Sequence, residues 1–152
     1  MRFPDYTPFN SENIIRVGLV GYCPPSKFDE EEADAMIKEI FFSIEKNIED
    51  GVELVLVSGW TNVGVLKLGY TEAKRRGWKT VGIACKRAEE HELFPVDAGL
   101  IVGEEWGAES RTFLQSIDML VRIGGGEQSM AEAAIAAAAG QPVFAINLPL
   151  LD

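Results

Sequence analysis

The chain has 152 residues, 47% hydrophobic and 25% charged, which suits one globular domain with a core of its own and excludes a disordered chain. Its 24 Asp and Glu outnumber 14 Lys and Arg, a net charge of -10. That argues against a broad grip on a nucleic-acid polymer or an anionic membrane, but not against one small anion held by backbone amides. His91 is the only histidine, so chemistry or metal sites needing two are excluded, and no metal or resident cofactor is expected.

In chain order, residues 1–13 read as an irregular arm, with Pro4 and Pro8 breaking regular structure and Phe3, Tyr6 and Phe9 offering apolar surface. Residues 14–152 form the domain. Ile14–Gly21 reads as a buried strand. Ser26 or Asp29 then caps a helix whose stripe is Ala33, Met36, Ile37, Ile40, Phe41, Ile44 and Ile48, ended by Asp50-Gly51. Val52–Val57 is a second strand, too apolar for a wet face. A helix follows over 63–76, then a strand over 80–85, a polar loop over 86–96 and a short strand over 98–102. A helix near 109–116 precedes a strand over 119–123. Gly124-Gly125-Gly126 leads into an alanine-rich helix over 127–139, with Gly140 at its C′ position, and Val143–Ile146 is the last strand. This alternation predicts a single doubly wound, Rossmann-like parallel sheet with helices on both faces. Ligands of such sheets lie beyond the carboxyl ends of the strands. Cys23 and Cys85 form no CxxC pair and read as inert thiols. No secretory pattern and no run of about 20 apolar residues is present, so a cytoplasmic protein is expected.

Two strand-to-helix loops carry the chemistry. In Gly124-Gly125-Gly126-Glu127-Gln128-Ser129 the glycines let a ligand approach the backbone, and the next helix presents unpaired amides at its positive end. These residues are expected to cradle a phosphate, with Ser129 adding a hydroxyl; the plain alternative is a turn that needs glycine for its backbone alone. In Ser58-Gly59-Trp60-Thr61-Asn62 the same logic applies, with Trp60 either stacking on a base or packing. Gly21 closes the first strand beside both loops. Tyr22, Trp60 and Trp106 all fall near strand ends, where one of them can stack on a base. His91 reads as a solvated loop residue.

The order of elements and these loops resemble the LOG-like, or SLOG, superfamily, which includes phosphoribohydrolases, lysine decarboxylase-like proteins, molybdenum cofactor carrier proteins and nucleotide sensors. The superfamily pattern P-G-G-x-G-T-x-x-E is met by Gly125, Gly126, Ser129 in place of threonine, and Glu132. Gly124 replaces the proline and Gln128 the third glycine, while Asp118 sits where the family has an aspartate opening the strand. Gly59, Gly64, Val65 and Leu66 resemble its G-G-x-x-x-G-V-M segment. In the phosphoribohydrolases an arginine and the motif glutamate act on the ribose–base bond. The resemblance implies Glu132 and Arg111 for those roles, although Glu109 occupies the register-matched position and Arg111 is displaced.

A carboxylate at Glu132 lies one helical turn past the glycine loop, placed to stabilise an oxocarbenium-like ribose or to activate water. The expected function is therefore carriage or sensing of a small phosphorylated nucleotide-like molecule. The alternatives are a phosphoribohydrolase acting on a nucleoside 5′-monophosphate and a nucleoside deoxyribosyltransferase-like enzyme. The alanine-rich helix permits close helix contacts, so a homo-oligomer is expected.

Overall fold

The structure, a computed structural model, describes residues 13–152. All but the last residue of the expected arm lies outside the described residues. β1 (Ile14–Gly21), β2 (Glu53–Ser58), β3 (Lys79–Ala84), β4 (Ala98–Ile101), β5 (Met119–Ile123) and β6 (Val143–Ile146) pair in parallel throughout. Their order in the sheet is β4-β3-β2-β1-β5-β6. Between them run α1 (Glu30–Lys46), α2 (Gly64–Arg75), α3 (Ser110–Gln115) and α4 (Glu127–Ala138). The doubly wound architecture is as the alternation of strands and helices predicts.

Each face of the sheet has its own core. On one, Ala33, Ile37, Phe41 and Ile44 of α1 and Val65, Leu66, Tyr70 and Ala73 of α2 pack on Val17, Leu19, Leu54, Leu56, Val121 and Ile123. On the other, Phe113 and Leu114 of α3 and Ala133 and Ala136 of α4 pack on Val20, Val55, Val57, Val81 and Leu120. Successive strand residues point to opposite faces, which is why runs such as Leu54–Val57 are apolar at every position. Burying each large side chain contributes roughly 1.5–3 kcal/mol.

Local chemistry sets the boundaries. Asp29, not Ser26, caps α1, its carboxylate accepting from the Glu32 amide at 3.0 Å. The helix stops at Lys46, earlier than Asp50-Gly51, because the Asn47 amide turns back to the Ile44 carbonyl. Gly51, at φ 87°, makes the separate turn into β2. Residues 86–96 are not all loop: Lys86–Glu90 winds into a 3₁₀ turn.

One polar pair fixes the sheet from within. Arg16 on β1 is 2% exposed, and its Nε and Nη2 reach both oxygens of Asp118 at 2.9 and 3.0 Å. Asp118 also accepts from the Arg16 backbone amide at 2.8 Å. It stands just before β5, so the pair locks the register of strands that are far apart in sequence. It lies at the amino end of β5, away from the loops that carry the candidate site.

The chain builds outward from β1 to β4, then returns to place β5 on the other side of β1. This reversal is the topological switch point, where the loops leaving the two strands diverge and a crevice opens.

Candidate ligand-binding site

A cavity of about 500 Å³ opens there, within the size range of small-molecule sites. Its floor is the carboxyl end of β1 and its neighbours, with Leu19, Val20, Gly21 and Ile83. Gly126, Glu127, Gln128, Ser129 and Glu132 form one wall, and Gly59, Thr61, Val63 and Leu66 another.

The glycine triplet divides by role. Gly124 has φ 61°, and a Cβ there would lie 2.2 Å from the Tyr22 ring; Gly125 has φ 106°, and a Cβ there would meet Ser129 at 2.5 Å. Both are glycine for the fold's sake. Gly126 has an ordinary φ of -89° and nothing within 4 Å of its would-be Cβ, so its missing side chain leaves space on the cavity wall. It is also the N-cap of α4 and supplies no capping side chain. Among the described residues, no acceptor takes the amides of Glu127, Gln128 or Ser129. Orphan amides at a helix start, facing a cavity, are the arrangement that binds anions.

The other loop has a different fate. The amides of Trp60, Thr61, Asn62 and Val65 go to the Tyr70 hydroxyl and to the carbonyls of Gly59, Glu92 and Tyr22. These four are taken up by the fold, whereas among the described residues no acceptor takes the amides of Val63, Gly64 or Leu66 at the start of α2, whose N-cap Val63 supplies no capping side chain. Ser58 is fully buried and donates to the Leu19 carbonyl at 2.6 Å, so it does not line the cavity. The Asn62 side chain turns to Glu92. Trp60, at φ 76°, lays its indole where Cβ atoms of Gly82 and Gly99 would stand, and its Nε1 donates to the Phe94 carbonyl at 3.1 Å. Gly59 and Thr61 do reach the wall.

Arg111 is exposed on α3 and is not among the side chains lining the cavity. A cation that touches the glycine loop is Arg122, which sequence reasoning missed. It is 7% exposed, and its guanidinium donates to the Gly124 carbonyl at 2.8 Å and to Asn147 Oδ1 at 2.9 Å. No carboxylate pairs with it among the described residues. A buried positive charge behind the loop favours an anion in front of it. The available signal was a lone arginine inside the apolar run Met119-Leu120-Val121-Arg122-Ile123.

Glu132 is 5% exposed and lines the cavity. Its Oε2 accepts from the Ser110 hydroxyl at 2.7 Å, and Gln128 bridges it to Glu109 at 3.5 and 3.1 Å. Burial pushes the Glu132 carboxyl above the ordinary range, the Ser110 and Gln128 hydrogen bonds pull it back, and the Glu109 charge adds to the rise. An acid with a raised folded-state pKa costs stability as pH climbs from the ordinary glutamate range through the raised value, and that cost persists above it. Glu132→Gln is therefore expected to melt a few degrees above the parent at pH 8, with the gap closing below pH about 4. Melting curves across pH check this; a gap that does not change with pH refutes it.

Cys23, Pro24, Ser26, Glu109, His91, Trp106 and Phe113 complete the wall. Burial pushes the Cys23 thiol up to about 11, which keeps it protonated and inert. His91 is exposed, as its loop position implies, but it sits at the cavity beside Trp106, the rings 5.9 Å apart. Among the described residues, no group of three or more His, Cys, Asp or Glu is placed to hold a metal ion, and no helix is long and apolar enough to cross a membrane.

A parallel sheet reversed at β1/β5, with an open cavity bounded by a glycine loop and an uncapped helix start, defines a Rossmann-like protein with a ligand-sized site at its switch point. The model of the SLOG cluster4 family matches residues 17–151, and the chain belongs to that family. It is similar in fold to the molybdenum cofactor binding protein from the phototrophic bacterium Rippkaea orientalis, with 22% identity, a TM-score of 0.71, and 90% of this chain and 78% of that one covered. Two structures of the molybdenum cofactor (Moco) carrier protein from Chlamydomonas reinhardtii match at 25% and 26% identity, with TM-scores of 0.67 and 0.66. They cover 86% and 87% of this chain and 75% of their own. No curated protein matches the chain.

Proposed function

We propose that the protein binds a small phosphorylated, nucleotide-like molecule and acts as a carrier or sensor of it. The observation that carries this reading is the start of α4: three orphan amides and an uncapped Gly126 on the wall of a 500 Å³ cavity. Arg122 behind the loop adds positive charge without occupying the site. The similarity to proteins named as carriers supports a binding role. The net charge of -10 is consistent with a single small ligand rather than a nucleic-acid polymer or a membrane.

Calorimetric titration with ribose 5-phosphate and AMP tests the reading. Gly126→Val fits the observed backbone and places methyl groups where the anion is to sit. It is expected to weaken binding at least about 10-fold while costing no more than about 2 kcal/mol of stability, so that the variant stays folded for the titration. Binding that survives this substitution, or no binding to the parent, refutes the reading.

One observation favours the phosphoribohydrolase alternative: Glu132, with its raised carboxyl, stands one turn past the cradle in the same wall. Release of free base from AMP, lost in Glu132→Ala, is expected of that enzyme; binding without release is expected of the carrier. We also propose a homo-oligomer, because Met130 and Ile135 on α4 and Phe144 on β6 are exposed. Light scattering coupled to size exclusion is expected to give a mass at least twice 16.7 kDa, and a monomer mass refutes it.

A further inference from the structure

We infer that the cavity takes a flat, nitrogen-rich ring of the guanine type, with adjacent N–H donors on its edge facing Glu109 and Glu132 and its face against Trp106. This rests on the phosphate reading above and concerns the other end of the same ligand.

The wall is one-sided in charge. Its titratable side chains besides the Cys23 thiol are Glu109, Glu127, Glu132 and His91, and among the described residues no Lys or Arg lines it. Glu109 and Glu132 are 7% and 5% exposed, and among the described residues neither is paired with a cation. Their donors are neutral: the Gly107 amide and Gln128 for Glu109, and Ser110 and Gln128 for Glu132. Glu132 accepts only through Oε2, which leaves Oε1 without a hydrogen bond from any described residue. Nearly buried carboxylates in this state favour further N–H donors and reject a ligand edge made of acceptors. A guanine edge offers two neighbouring N–H groups, which match the two oxygens of one carboxylate. A hypoxanthine edge offers one, and an adenine edge pairs its amine with an acceptor nitrogen.

Of the rings lining the cavity, Phe113 is 3% exposed in the core and His91 lies beside Trp106, so the choice falls among the three larger aromatics near strand ends. Tyr22 stacks on Phe28 and donates its hydroxyl to the Leu148 carbonyl at 2.9 Å. Trp60 is seated on Gly82 and Gly99. Trp106 alone of the three lines the cavity, and it is 47% exposed. Gly103 and Gly107, at φ 75° and 98°, bracket the turn that carries it. A half-bare indole on a cavity wall gains by stacking on a planar ring.

The test is calorimetric titration of the full chain with GMP, IMP, AMP and ribose 5-phosphate, with tryptophan fluorescence in parallel. GMP is expected to bind about 10-fold tighter than IMP or AMP, since hydrogen bonds to charged groups are the strong ones. It is also expected to quench emission that Trp106→Leu removes. Glu109→Gln and Glu132→Gln are each expected to bring the GMP preference below about 3-fold. Equal binding of all four, with emission unmoved, overturns this inference and leaves the phosphate reading standing. No binding of any of them, ribose 5-phosphate included, overturns both. A GMP preference that survives both glutamine variants also overturns it.

Discussion

Asp118→Ala is expected to cost about 3–5 kcal/mol and to lower the melting temperature by roughly 10 °C, because it leaves a buried guanidinium without its counter-charge. Arg16 is 2% exposed, and three of its N–H groups are directed at that one carboxylate. Its Nη1 already lacks a partner among the described residues. The cost belongs to the broken pair more than to the pair's net worth, which a double variant separates. Arg16→Met with Asp118→Leu removes both charges and is expected to recover much of the loss, since apolar replacement of a buried pair is often neutral or better. Chemical denaturation of the three proteins measures this. A loss under about 1 kcal/mol for Asp118→Ala shows that the pair does not hold β1 to β5.

Gly64→Ala is expected to cost about 3 kcal/mol or more, from left-handed strain compounded by collision with backbone. Gly64 has φ 58°, and a Cβ there would stand 2.3 Å from the Tyr22 carbonyl oxygen and 2.8 Å from Cys23 Cα. Neither atom can swing aside as a side chain would. The contact holds two sides of the cavity together, because the Val65 amide donates to the same Tyr22 carbonyl at 2.9 Å. Gly77 is the control: φ 80°, with nothing within 4 Å of its would-be Cβ. Asparagine tolerates the left-handed region, so Gly77→Asn is expected to be nearly neutral while Gly64→Asn stays as damaging as alanine. If asparagine rescues both positions, the collision argument fails.

The strands were legible because runs such as Leu54–Val57 are apolar on both faces, a pattern only a doubly covered sheet asks for. The glycine triplet was legible as a strand-to-helix turn. Which glycine faces open space was not, because that depends on Tyr22, brought in from another loop. The first loop looked equally able to bind an anion. Three of its amides are claimed by Tyr22, Tyr70 and Glu92, partners that only the tertiary fold supplies, while those of Val63, Gly64 and Leu66 keep no acceptor among the described residues. Trp60 followed the same rule: the seat that takes its indole is made by Gly82 and Gly99 on two further strands. Arg122 was legible only as a lone charge inside an apolar strand, where charge is rare.

The sheet order has a consequence for how the molecule is made. Strands β1 to β4 are each neighbours of the next in sequence, so the first two-thirds of the chain can pair as it leaves the ribosome. β5 must then travel back past three strands to reach β1, a long-range closure of the kind that slows folding. Arg16 therefore waits in a nascent sheet, its carboxylate still unsynthesised, until residue 118 emerges. The uncapped start of α4, made by the segment that follows, is synthesised later still.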